Sequence, residues 1–281
     1  MHLSYQSRRR MKGYVLLAVG LLLVAIICFP LFWMIASSLK SDSEIITAPP
    51  TLFPSHLSIS SYQELFQHTK FESWFVNSTI VAVGTMLLVV LLSTLAAYSL
   101  IRFRYPGRQV FSVSVLVTYF FPPVLMIVPI FLILLRLHLL NSYIGLIIAH
   151  STFALPFGMW FLRPFFASIP IQVEESALVD GASRLRAFAD VVIPQVIPGI
   201  IATSIFTFIH SWNDYLFSSI LISSPTRVTL PVGIAAYSNE LNIQWGRLMA
   251  ASVLVTIPVL VFFILLQRRL IRGVGAGAVK G

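Results

Sequence analysis

Charged residues are scarce in this sequence. Only 10% of its 281 residues are Asp, Glu, Lys or Arg, whereas 57% are hydrophobic, and the mean hydropathy is +0.88. In soluble globular domains about a quarter of all residues are charged. This composition therefore excludes an ordinary soluble domain and indicates a bilayer protein. Polar intervals are short as well. None approaches the roughly 100 residues that a separate soluble catalytic domain requires.

Cysteine and the usual site-forming clusters are also rare or missing. The single cysteine, Cys28, excludes an intrachain disulfide and says nothing about the redox compartment. The sequence shows no catalytic carboxylate pair, metal-ligating cluster or nucleophile motif, and its glycine-rich stretch GVGAGAVKG lacks the Gly-Lys-Ser/Thr ending of a phosphate loop. We therefore expect no enzyme activity and no cofactor, metal or nucleotide bound by this chain itself.

Long hydrophobic runs are what the sequence has in abundance. Windows of about 20 apolar residues predict membrane-spanning helices. Six such windows occur, at residues 14–36, 76–101, 110–135, 144–162, 196–222 and 249–267. The first is too long for a signal peptide, and no convincing cleavage site follows it. The predicted fold class is thus an all-α integral membrane protein, with a six-helix domain at 14–267, an N-terminal segment at 1–13 and a C-terminal tail at 268–281.

The net charge of +9 indicates topology. Basic residues flank the apolar runs and do not stripe a soluble helix, which argues against nucleic-acid binding. With the N-terminus in the cytoplasm, 14 of the 19 Lys and Arg residues fall in cytoplasmic segments, as the positive-inside rule requires. We therefore expect both termini in the cytoplasm. The interval 37–75, with its prolines and a short amphipathic segment, is then external and is expected to cap the outer mouth.

A polar interval, EESALVDGASRLRAFADVVIP, lies between spans four and five on the predicted cytoplasmic side. It holds four of the ten carboxylates. We predict two helices, 171–179 and 183–192, joined at Asp180-Gly181, with Pro194 ending the second and with the charged side chains facing outward. Two interpretations stay open from the residues alone: an amphipathic connector resting on lipid headgroups, or a surface on which another protein docks.

Three segments of the chain resemble the permeases of ABC importers. The polar interval is similar to their "EAA" loop in its sugar-importer version, and SWNDYLFSSIL resembles their Trp-Asn pattern in span five. QRRLIRGVGAGAVKG resembles the tail of the maltose-importer inner-membrane subunit. The departures are mild: Ser176 stands where Ala is common, and Val274-Gly275 where Leu-Thr is common. Neither change adds much bulk.

This resemblance implies a division of labour. It implies a permease subunit of the carbohydrate-uptake family in a bacterial or archaeal plasma (inner) membrane, forming with a second homologous permease the path for a di- or oligosaccharide or a glycerol-phosphate-like solute. A dimeric cytoplasmic ATPase would bind ATP and Mg, and an extracytoplasmic substrate-binding protein would deliver the solute. Membrane lipid would surround the chain, and no nucleic acid is expected.

The resemblance also assigns residues to the ATPase contact. The loop 170–194 would be a coupling helix-turn-helix, in which Glu174 and Glu175 pair with basic groups of the ATPase and Gly181 permits close backbone approach. The full coupling set is Glu174, Glu175, Ser176, Ala177, Asp180, Gly181, Ala182, Phe188 and Pro194. The expected ATPase-docking tail is Gly277, Ala278, Val279, Lys280 and Gly281.

Polar and aromatic residues within the spans are candidates for the translocation path. Ionisable groups in a span are costly and indicate function. His210 and Asp214 are four residues apart, so they are expected to meet on one helix face, either as a structural pair or in contact with substrate. His150 is expected to bond between helices, and prolines are expected to bend span three. The candidates are Tyr119, Phe120, His150, His210, Asn213, Asp214 and Tyr215.

The sequence gives less support to two other functional classes. A secondary transporter would be expected to show paired repeats and several buried carboxylates for a coupling ion, whereas Asp214 alone is predicted to be buried in a span. An integral-membrane enzyme of lipid chemistry would be expected to carry an acidic cluster at a membrane face. The one cluster present is the polar loop.

Overall fold

The computed structural model describes the backbone of residues 5–238 and 244–277 and the side chains of residues 12–236 and 244–267. Within these ranges all regular structure is helical. The helices are α1 (Tyr5–Ser38), α2 (Asp42–Ile45), α3 (Ser60–His68), α4 (Phe71–Arg102), α5 (Arg108–Tyr119), α6 (Pro123–Arg136), α7 (Tyr143–Ala167), α8 (Ile171–Val179), α9 (Arg184–Ala187), a π-helical turn (Phe188–Val192), α10 (Ile193–Trp212), α11 (Leu216–Leu221), α12 (Leu230–Ser238) and α13 (Trp245–Gly277).

The number of membrane-length elements agrees with the prediction. Five helical stretches in the described residues are long and apolar enough to cross a bilayer, and the bent pair α5 and α6 makes up to six. The predicted first, second, fourth and sixth spans lie within α1, α4, α7 and α13. The third and fifth spans depart from single helices.

Span three is broken in the middle. The axes of α5 and α6 differ in direction by 107° across residues 120–122, so the predicted bend in span three is confirmed. Pro123 begins α6, where its missing N–H costs no helical bond. Pro129, also expected to bend the span, remains inside α6.

Span five is longer at its start and interrupted near its end. Helical structure continues from Arg184 to Trp212. The prediction that Pro194 ends a helix is therefore wrong. Proline clashes with the carbonyl four residues earlier in an α-helix. The π-helical turn directly before it, in which the N–H of Ile193 bonds to the carbonyl of Phe188, widens the helix and removes that conflict. The predicted continuous span 196–222 is also wrong, because residues 213–215 separate α10 from α11.

The chain groups into two compact units. One consists of residues up to 69 together with 237–256. Here the predicted external interval is an ordered loop: the buried Lys40 donates to the carbonyl of Thr51 and lies 4.9 Å from the Trp33 ring centroid. The hydrogen bond from the Ser55 backbone N–H lowers the pKa of Glu44. The predicted short amphipathic segment is α3, which buries Leu65.

The other unit contains α4 to α11, most of α12 and the part of α13 from Ile257 onward, and its core lies among α4, α7 and α10. Apolar side chains from these helices and from the adjoining polar loop form a buried cluster: Ala97, Leu162, Phe166, Ile169, Val192 and Val196. Small residues allow the helices to approach closely. At Gly158 of α7, an added Cβ would lie 3.0 Å from both Ser93 Oγ of α4 and Thr203 Cγ2 of α10.

We expect Gly158→Val to destabilise the fold. The larger side chain must displace two helices, and overpacking of this kind costs about 1–3 kcal/mol. Gly20→Val in α1 is the matched control, because nothing lies within 4 Å of its added Cβ. Folded yield in membranes and thermal unfolding after detergent extraction should fall for the first variant alone. Equal stability of the two variants would show that this crossing is not closely packed.

Candidate functional site

The turn of the polar loop is built by its glycine. Gly181 has φ +86°, the left-handed region in which glycine is unstrained. Its N–H bonds to the carbonyl of Leu178 at 3.1 Å, and the N–H of Ala182 bonds to that of Ala177 at 3.0 Å, the paired pattern that ends a helix at a left-handed residue. The predicted turn at Asp180-Gly181 is confirmed. An added Cβ on Gly181 meets nothing within 4 Å, so the space above it is open.

The loop exposes a mixed apolar and charged face. Val179 and Leu185 are 86% and 76% exposed. Arg186 and Asp190 pair at 3.4 Å with both side chains largely in solvent. Of the residues predicted for coupling, five are exposed and three are half-buried. The exposed ones are Glu175, Ser176, Asp180, Gly181 and Pro194, and the half-buried ones are Ala177, Ala182 and Phe188.

Glu174 was expected to face outward, but it is buried. It is 8% exposed, and its carboxylate accepts hydrogen bonds from Arg102 Nε at 2.9 Å and from the Tyr98 hydroxyl. Arg102 also donates to the carbonyl of Ile169 at 3.0 Å. The prediction of an outward Glu174 is wrong because the residue lies on the face of α8 that meets the end of α4, where a buried guanidinium requires a carboxylate.

Tyr98 holds a second part of the loop. Its ring lies 4.5 Å from that of Phe188, measured between centroids, and 5.9 Å from that of Phe166. Phe188 begins the π-helical turn that leads into α10. The end of α4 therefore anchors both halves of the loop, through the Arg102–Glu174 ion pair on one side and through ring packing on the other.

A buried polar network lies deeper in the same unit. His150 of α7 is 1% exposed; its Nε2 lies 3.0 Å from Asp214 Oδ1 and its Nδ1 lies 2.7 Å from Ser211 Oγ. Ser211 continues to Thr85 of α4 at 3.3 Å. Asp214 Oδ1 also accepts from the backbone N–H and the hydroxyl of Ser218, at 2.9 and 3.0 Å. The network thus joins α4, α7, α10 and α11, and interhelical bonding of His150 is confirmed.

The expected pairing of His210 with Asp214 is wrong. The helix ends at Trp212, so the two residues no longer share a helical face, and among the described residues the carboxylate bonds to His150 and Ser218. His210 is exposed. Asn and Asp side chains compete with helical backbone bonds through local hydrogen bonds, which accounts for the interruption at Asn213-Asp214.

Aromatic rings connect other predicted path residues. Tyr119 lies 6.1 Å from Phe157, Phe157 stacks on Phe206 at 3.7 Å, and Phe206 lies 6.1 Å from His210, all measured between ring centroids. This aromatic row runs from the end of α5 across α7 to α10.

The seven candidates for the path divide by exposure. His150 and Asp214 are mostly buried, whereas the exposed ones are Tyr119, Phe120, His210, Asn213 and Tyr215.

The predicted docking tail is described only at its start. Gly277 is the last residue of α13. Residues 278–281, which include Lys280, lie outside the described residues.

The chain is similar to known membrane components of transport systems. Residues 89–275 match the family described as "Binding-protein-dependent transport system inner membrane component". The diacetylchitobiose uptake system permease protein NgcG of Streptomyces coelicolor is 38% identical over 265 residues, covering 94% of this chain and 87% of NgcG. The trehalose/maltose transport system permease protein MalG of Thermococcus litoralis is 32% identical over 278 residues, covering 98% and 99%.

A solved structure has the same fold. It is a bacterial ABC transporter involved in the import of the acidic polysaccharide alginate, and one of its chains superimposes with a TM-score of 0.82 at 22% identity, covering 95% of this chain and 99% of that one.

We expect Glu174→Ala to lower stability by about 3–5 kcal/mol, because it leaves the Arg102 guanidinium buried without its carboxylate. Asp190→Ala is the matched control: it removes the carboxylate of the exposed loop pair, whose contribution is about 0.5 kcal/mol or less. Thermal unfolding in detergent measures both. A small effect of Glu174→Ala, comparable to that of the control, would mean that the buried ion pair does not anchor the loop.

Proposed function

The chain belongs to the family of inner membrane components of binding-protein-dependent transport systems, and from this membership we propose that it is one of two permeases of an ATP-driven sugar importer. A second, homologous permease completes the path, and a cytoplasmic ATPase dimer binds ATP and Mg. One observation carries the proposal: inside the family-matched region, the polar loop presents an open face while Glu174 fixes it to a membrane helix.

The open face is the proposed ATPase contact. Val179 and Leu185 expose apolar surface beside charged Glu175 and Arg186. A partner cleft would bury the apolar side chains and orient them through the charges, as in helix-in-groove recognition. The empty space above Gly181 lets a partner backbone approach closely. ATP hydrolysis is then the work of the partner, and this chain supplies the lever.

Force applied at the loop has two routes into the membrane. The first is the Arg102–Glu174 ion pair, which couples α8 to α4. The second is the unbroken helix Arg184–Trp212, whose 29 residues span about 43 Å at the helical rise of 1.5 Å per residue. That helix ends beside the His150–Asp214 network. Rigid-body movement of the loop would therefore reach the polar network along one continuous helical stretch.

The proposed wall of the path consists of the exposed ends of the aromatic row, Tyr119 and His210, together with Phe120, whose ring packs beside that of Tyr119. Sugar rings present apolar faces that stack on aromatic side chains such as Tyr119 and Phe120, and Asn213 offers donors and acceptors to hydroxyl groups. The relatives named for diacetylchitobiose and for trehalose and maltose support a di- or oligosaccharide, whereas a glycerol-phosphate-like solute rests on the sequence resemblance alone. His150 and Asp214, which satisfy one another, brace the wall.

Orientation follows from the basic residues. The positive-inside rule puts both termini and the polar loop in the cytoplasm, where an ATPase is found. The interval between α1 and α4, which the same rule predicts to be external, would receive the extracytoplasmic binding protein. The location is a bacterial or archaeal plasma membrane, crossed several times.

We expect an ATPase to co-purify with the full chain, and Gly181→Val to abolish both this association and uptake while the chain still inserts. Gly107→Val is the matched control. Gly107 also has a positive φ, +79°, with nothing within 4 Å of an added Cβ, so a side chain at either position imposes a similar backbone strain of about 1–2 kcal/mol. Pull-down of the ATPase and substrate uptake measure the two effects.

The control decides how a loss is interpreted. If Gly107→Val fails equally, strain alone explains the result. If Gly181→Val retains the ATPase and transports normally, the loop is not the coupling surface.

We expect Asp214→Asn to reduce the yield of folded complex and to spare substrate preference. The amide oxygen can still accept from His150 and Ser218, but weakly, and a poorly satisfied buried group costs roughly 1–3 kcal/mol. Asn213→Ala, one residue away and exposed, should leave the yield normal and reduce uptake. Yield and substrate-stimulated ATP hydrolysis are measured on the same preparation. Normal yield with lost stimulation in Asp214→Asn would instead place this carboxylate in contact with substrate.

A further inference from the structure

A cavity of about 510 Å³ lies at the end of the helix unit that also carries the polar loop. Its walls come from the end of α4, the start of α5 and the end of α7. Its volume falls within the range of roughly 300–1,000 Å³ that is typical of ligand pockets. None of the residues assigned above to coupling or to the translocation path lines it.

Two arginines give the cavity its charge. Arg108 begins α5, and Arg163 lies in the last turns of α7. Among the described side chains, no carboxylate lies within ion-pair distance of either guanidinium. By contrast Arg102, a few residues away in sequence from Arg108, is neutralised by Glu174. The cavity is therefore a concentration of uncompensated positive charge, which favours an anion.

The Arg163 side chain is fixed in place but not fully used. Its guanidinium lies 4.5 Å from the Trp160 ring centroid, and its Nη1 donates to Ser112 Oγ at 2.9 Å. Its buried Nε has no hydrogen-bond partner among the described residues. A buried donor left unpaired costs free energy, so an acceptor that reaches this group would be favoured. A guanidinium matches the geometry of phosphate oxygens, to which it donates two parallel bonds.

The other walls indicate where the phosphate comes from. Leu100 and Pro164 line the cavity beside the arginines, and an apolar wall suits a glycerol backbone or acyl chain better than a free ion. Both arginines stand at ends of membrane helices, the depth at which lipid headgroups lie. Basic pockets between membrane helices are a known mode of anionic lipid recognition.

We propose that this cavity binds the phosphate headgroup of an anionic phospholipid, held by Arg108 and Arg163. Inorganic phosphate shares the same chemistry but has no group to place against the apolar wall. The site goes beyond the proposed transport function and does not depend on it, since it needs only a membrane.

The test uses the full chain, with any subunits that co-purify, in neutral detergent. Phosphatidylglycerol is titrated and bound lipid is counted by native mass spectrometry. Each basic residue near a membrane surface contributes about fivefold to anionic lipid binding, so we expect R108Q/R163Q to weaken binding roughly 25-fold and R108Q alone about fivefold. R104Q is the matched control: it removes an exposed arginine from the same segment that does not line the cavity, and it should change binding less than about twofold.

Further arms separate the sources and guard against misfolding. If the double variant does not fold, R108Q alone still tests the site. Arg108 is only half-buried and bonds to the backbone carbonyl of Phe103, so its replacement is expected to disturb the fold less. R163K, which keeps the charge but loses the fork, should bind with intermediate affinity. Phosphatidylglycerol binding to folded R108Q within twofold of the unsubstituted chain overturns the proposal. Arginine-dependent binding of inorganic phosphate in place of the lipid overturns the assignment of a lipid source.

Discussion

In hydrocarbon, every backbone N–H and C=O must find its partner within the protein, and the described helices show what happens where this constraint meets a break. Between α5 and α6 the interruption is made by two prolines, which have no N–H to satisfy. Between α10 and α11 it is made at Asp214, whose carboxylate accepts the N–H of Ser218 in the first turn of α11. The same carboxylate oxygen lies 3.0 Å from His150 Nε2 of α7.

The same reasoning separates the two ion pairs of the polar loop. Arg102 and Glu174 are 8% and 11% exposed in their side chains, so each charge depends on the other. Arg186 and Asp190 are 76% and 65% exposed, so water compensates them and the pair adds little. One side of the loop is thus held rigidly to the membrane helices, while the other can exchange its partners at small cost. Such an asymmetry suits a surface that must bind another protein and transmit its movement.

The sequence predicts those features that depend on local chemistry. Bilayer thickness sets the length of the apolar runs, and the left-handed preference of glycine sets the turn at Gly181. The partners of Glu174 and Asp214 could not be predicted, because Arg102 and His150 lie 72 and 64 positions away and only packing brings them together. The helix through Pro194 also escaped prediction, since the local rule for proline is a break and the π-helical turn overrides it. Ser211 and Ser218 carried no signal that distinguishes them from other serines in spans.

Charge compensation also bears on what the proposed path can accept. A neutral sugar gains little from an unpaired charge in the wall, whereas an ionisable residue left alone in a span costs roughly 3 kcal/mol. His150 and Asp214 meet both conditions, because they bond to one another away from the surface and leave rings and an amide exposed beside them. A wall of this kind stacks on sugar rings and exchanges hydrogen bonds with hydroxyl groups without trapping the solute by charge. In the proposed path, the buried pair would hold the break at Asn213 in place, and the exposed residues beside it would contact the solute.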